Sequence, residues 1–106
     1  MGHNGERRQH ARRAVELDVI AWSLVQPTRL LTGRTIDLGA GGALLALAGL
    51  DDAAVRLDLR IALPSGTFRV SANVLEQRRP DVVAVVFDPM DSADQARVNA
   101  FLETIA

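Results

Sequence analysis

Val55, Leu57, Leu59, Ile61 and Leu63 alternate without a break with Arg56, Asp58, Arg60 and Ala62. A period of two sends one set of side chains to a core and the other to water, so this stretch predicts a half-buried strand. Pro64-Ser65-Gly66 turns the chain, and Phe68, Val70, Ala72 and Val74 continue the alternation. An earlier strand begins at Ala14, where Val15, Leu17, Val19 and Ala21 oppose Glu16, Asp18, Ile20 and Trp22; Gln26-Pro27 ends it, since proline cannot donate to a ladder. Residues 29–38, with their threonines and Ile36, predict another strand, with Gly33 at a bulge or bend.

Residues 43–50 are less clear-cut. Alanine and leucine favour helix, but so short a run between glycines fits a buried strand better. Residues 82–87 are almost continuously apolar, as in a strand covered on both faces, and Arg78-Arg79-Pro80-Asp81 before them predict a hairpin turn. The period then changes. Ser92 is a cap by residue type, and Val98, Phe101, Leu102 and Ile105 have helical spacing, giving a helix over about 92–105 with Asp91 and Asp94 near its positive end. Six strands and one helix predict a mostly β fold: a small six-stranded antiparallel β-barrel with a C-terminal α-helix, because closure removes the exposed edges of a short sheet. The small polar residues 1–5 are expected to be disordered, leaving one domain over 6–106.

Composition narrows the chemistry. The chain has no cysteine and only two histidines, His3 and His10, so thiolate sites, a histidine metal set and a nucleophile triad find no foothold. The reading is not an enzyme. No leader-like or membrane-spanning apolar run is present, which makes a cytoplasmic protein without membrane insertion the expectation. With 12 basic against 13 acidic residues the chain lacks the broad positive face that duplex DNA requires. All twelve basic residues are arginine, as a GC-rich coding bias would produce, but four of them fall at Arg7, Arg8, Arg12 and Arg13 beside Glu6. Such an arm over 6–13 is a local anion site, and the guanidinium fork can hold phosphate oxygens or a guanine edge with two parallel bonds. The plain alternative is a solvated tail. A second stretch, Asp37-Leu38-Gly39-Ala40-Gly41-Gly42, offers a carboxylate and a bend where backbone can approach closely; alone it would read as a turn.

Together these stretches resemble the PilZ domain, a family known for binding the bacterial second messenger cyclic di-GMP. Residues 7–12 match its RRxxxR arm, with Arg8 and Arg12 as the RxxxR pair. Residues 37–42 match its DxSxxG motif at Asp37 and Gly42, and 68–87 look like the family's hairpin. Gly39 stands where the family has serine. The resemblance implies that Arg7, Arg8 and Arg12 grip phosphates and guanine edges, that Asp37 accepts from a guanine, and that Gly39 and Gly42 lie against the ligand. Arg13, His10, Arg34 and Trp22 are secondary candidates, of which His10, Arg34 and Trp22 have simpler readings as spacer, solvent-facing and packing residue. The ligand implied is cyclic di-GMP, in one or two copies, with no other cofactor. The partner is an unidentified effector protein, and the state a monomer or weak homodimer. Gly39 keeps open a second reading, a barrel that has lost the nucleotide and works by protein contact. An RNA- or single-strand-binding barrel is a third, disfavoured by few aromatics.

Overall fold

The computed structural model describes residues 12–23, 29–79 and 81–105. They form β1 (Arg13–Ala14), β2 (Asp18–Ser23), β3 (Leu30–Leu38), β4 (Gly42–Leu47), β5 (Arg56–Leu63), β6 (Gly66–Arg79), β7 (Val82–Phe87) and one helix, α1 (Ser92–Thr104). The strands hydrogen-bond in the order β1-β3-β2-β5-β6-β7-β4, and a further β3–β4 pairing closes β2 to β7 into a six-stranded antiparallel barrel. β1 is a short extra strand beside the end of β3. The expected fold class is present.

Alternation works as the sequence implied in β5, where Leu57, Leu59, Ile61 and Leu63 are buried. Phe68 and Phe87 meet edge-on inside, their ring centres 6.3 Å apart and planes at 83°. Burying side chains of this size contributes roughly 1.5–3 kcal/mol each. β7 departs from expectation, since Val86 on its outer face is 40% exposed. The turn before it is also shorter: β6 continues through Arg78 and Arg79, because bulges between Val74 and Glu76 and between Gln77 and Arg79 coil the long strand up to the start of β7. The helix cap is Asp91 rather than Ser92; its Oδ1 accepts the Asp94 N–H at 2.8 Å.

Gly33 is not at a bulge. It pairs regularly with Val19 and Leu47, and its lack of a side chain is explained by the Ala46 carbonyl oxygen, 2.0 Å from where a Cβ would stand. The bulge is three residues on. Thr35 pairs with Leu45 but Asp37 pairs with Leu44, so Ile36 is the extra residue. Side chains along a regular strand alternate faces, so Asp37 would otherwise point inward with Thr35. The insertion instead buries Thr35 and Leu38 and leaves Asp37 half-exposed. Thr35 also fixes the facing strand: its hydroxyl accepts from Leu17 N–H at 2.9 Å and donates to the Val15 carbonyl, bridging the irregular stretch between β1 and β2.

The helix packs Val98 and Leu102 into the core and is tied to three other parts of the barrel. Arg97 donates to the Gly66 carbonyl at 2.6 Å, Gln95 to the Ala40 carbonyl at 3.4 Å, and Arg13 to the Ile105 carbonyl at 3.0 Å. On another side, Arg56 donates two parallel bonds to Asp88, at 3.2 and 2.7 Å, joining the start of β5 to the chain leaving β7. These bonds hold the Asp88 carboxyl below the usual aspartate range, against the opposing effect of burial.

Thr35→Val, of nearly equal shape, should lower unfolding stability by about 1–3 kcal/mol, because the Leu17 N–H and Val15 carbonyl lose their bridge; chemical denaturation measures this. A carboxyl whose pKa is lower folded than unfolded adds stability above its unfolded value and loses it as pH falls through its folded one. The melting-temperature gap between the wild type and Asp88→Asn should therefore be constant near neutrality and close below about pH 4.

Candidate functional site

The site is built from the register of two strand ends. Arg13 lies opposite Leu38, and Ala14 opposite Asp37. Cross-strand neighbours share a face, so Arg13 goes with buried Leu38 toward the helix, while Arg12, two residues from Ala14, goes with Asp37 toward solvent. The side chains obey this division. Arg12 NH1 lies 3.1 Å from Asp37 Oδ1, with the two side chains 31% and 25% exposed. Arg13 instead donates to the carbonyl of Ile105, the residue that caps the C-terminus of α1, a helix with no basic residue in its own last turn. It supplies the cation that the negative end of a helix favours.

Asp37 Oδ1 also accepts the Leu44 N–H at 3.2 Å, an amide beside the bulge. Among the described residues both partners of Asp37 take Oδ1, which leaves Oδ2 for a further donor. The bend beneath is tight. Gly39 N–H donates to the Gly42 carbonyl at 2.9 Å, and the Gly41 carbonyl accepts Phe87 N–H at 2.8 Å. The Gly39 amide is therefore spent inside the bend. At Gly42 a Cβ would stand 2.4 Å from the Val85 carbonyl oxygen, so the close passage of β7 already demands glycine there.

The structure thus brings together Arg12, Asp37, Gly39 and Gly42. Arg7, Arg8 and His10 lie outside the described residues. Arg34 is on the outer face of β3, 63% exposed, near Glu16 at 3.5 Å and Asp18 at 3.6 Å. Trp22 sits near the far end of β2, paired with Leu30 and Asp58, with Arg60 over its ring at 5.0 Å. It does not join the Arg12–Asp37 pair. Sequence reading missed the anchoring role of Arg13; no local signal marks it, because its partner is 92 residues away. Among the described residues no cluster of three or more acidic, histidine or cysteine side chains could hold a metal, and no helix is long and apolar enough to cross a membrane.

The PilZ domain model matches residues 6–104. The chain belongs to the PilZ domain family. Solved PilZ domains share the fold. That of CeSA from a cellulose-synthesizing bacterium superposes with a TM-score of 0.70 at 14% identity, covering 89% of this chain and 97% of the other. The PilZ domain of Escherichia coli YcgR, solved with c-di-GMP, gives 0.71 at 13% identity over 93% and 91%. The Bacillus subtilis inhibitor of motility, MotI/DgrA, gives 0.70 at 22% identity; 92% of this chain is covered but only 50% of that longer protein. No curated protein matches the chain by sequence.

A partly buried ion pair held by a single contact adds little to folding. Arg12→Ala should shift unfolding stability by less than about 1 kcal/mol in thermal or denaturant melts. A larger loss would make the pair a structural clasp rather than a site at rest.

Proposed function

We propose that this PilZ barrel is a receptor module for cyclic di-GMP that signals to a partner protein. The observation that carries the reading is the 3.1 Å contact between Arg12 and Asp37 above the glycine bend. YcgR, a structural relative, is known in complex with c-di-GMP. In this chain a guanine would present its N1 and N2 protons to Asp37, a donor pair that adenine lacks, and the guanidinium of Arg12 would turn to phosphate or to guanine O6 and N7. Releasing the weak Arg12–Asp37 pair costs little beside the charge-assisted bonds gained. Arg7 and Arg8 belong to the same arm and complete the grip. Closure of that arm on the ligand is the switch that a partner reads.

Gly39 supports a second reading, a PilZ barrel that has given up the nucleotide and acts through protein contact. The bend uses the Gly39 amide internally, so that amide does not stand in for the missing serine hydroxyl. One neutral hydrogen bond is worth about 0.5–1.5 kcal/mol, a several-fold to roughly tenfold effect, which weakens a site without erasing it. The Gly39 backbone is not in the left-handed region, which among the described glycines is occupied by Gly49 and Gly66, so serine fits there conformationally.

Titration calorimetry with cyclic di-GMP decides between them. The receptor reading expects binding by the intact protein, loss of at least about tenfold in Arg12→Ala, Arg8→Ala and Asp37→Ala, and several-fold tightening in Gly39→Ser. No heat at high micromolar ligand, in the intact protein and in Gly39→Ser alike, hands the case to the protein-contact reading.

A further inference from the structure

The outer face of β2, β5 and β6 carries an arrangement the nucleotide site does not use. Arg60 and Arg69 are directly opposite each other across the β5–β6 ladder. Like charges in that position destabilise a sheet. Among the described residues neither guanidinium joins an ion pair or hydrogen bond; Arg60 lies over the half-buried ring of Trp22 at 5.0 Å. Beside them opens a groove of about 390 Å³, lined by Arg69 and by the apolar surface of Trp22, Pro89 and Met90.

The acids of the same groove are already engaged. Asp88 is held by Arg56, Asp91 caps the helix, and Asp58 accepts from the Ser71 hydroxyl at 2.8 Å. Among the described residues, Arg60 and Arg69 are left without an ion-pair partner on this face. We propose that this face docks a short acidic segment of a partner protein, whose carboxylates pair with Arg60 and Arg69 while an apolar side chain enters the groove against Trp22. A polynucleotide fits less well, because one aromatic ring gives no series of stacking platforms. The proposal does not depend on nucleotide binding, since Trp22 lies away from Arg12 and Asp37.

Trp22 is the only tryptophan, so its fluorescence reports this face alone. The intact protein is titrated with a glutamate hexapeptide containing one leucine, with a lysine peptide of the same length, and with oligouridine. The expected result is a saturable Trp22 change with the acidic peptide, weakened by salt and reduced about tenfold or more in Arg69→Glu and Arg60→Glu. Arg69→Glu should at the same time raise the melting temperature by a few degrees, because it turns a repulsive cross-strand pair into an attractive one. Binding retained in Arg12→Ala separates this face from the nucleotide site. No saturable response to the acidic peptide, or oligouridine binding at least as tightly with the same arginine dependence, overturns the proposal. So does a fall in melting temperature in both Arg69→Glu and Arg69→Gln, which would make Arg69 a structural residue.

Discussion

One inserted residue in β3 decides which side chains at this end of the barrel enter the core and which meet Arg12. Without Ile36 as a bulge, Thr35 and Asp37 would share the inward face and Leu38 would face water. A carboxylate would then lie in an apolar interior without a partner, at a cost of several kcal/mol or by giving up its charge. The bulge reconciles two demands: a closed core requires Leu38 inside, and the contact with Arg12 requires Asp37 on the other face. The same irregularity turns the Leu44 amide toward the carboxylate, which fixes the aspartate beside Arg12. Thr35 bridges the facing stretch at Val15 and Leu17, and β1 beyond it keeps the register that faces Arg12 toward Asp37.

The helix is bonded to both halves of this site. Gln95 holds the glycine bend through Ala40, and Arg13 holds the arm through Ile105. Successive arginines thus divide the labour by strand parity alone. Arg12 belongs to the solvent face, and Arg13 completes the end of a helix that lacks its own cation. Arg13 is thereby tied to the scaffold.

Much of the fold was legible because most strands bury one face, and one-sided burial writes a period of two. β5 and the first half of β6 are its clearest cases. The meeting of Arg12 with Asp37 was legible too, since each stood in a dense motif of matching chemistry. What escaped is what local pattern does not encode. Gly33 looked like a bulge, yet its reason is a carbonyl on the neighbouring strand, and Ile36, a strong strand former, gave no hint of irregularity. Asp91 and Ser92 are both good caps, and only backbone geometry chose between them. The bulged end of β6 took in Arg78 and Arg79 because strand coiling moved the turn. Trp22 was set against the nucleotide or the core, and it faces outward onto arginine instead.

Gly42 carries a lesson about motifs. Its missing side chain is required by the carbonyl of Val85, a feature of how the cylinder shuts rather than of what it holds. A descendant of this fold that abandoned its messenger would keep that glycine for architectural reasons alone. A signature scan that scores it as ligand evidence would go on counting such descendants as sensors. The informative letters are those whose loss the scaffold would tolerate.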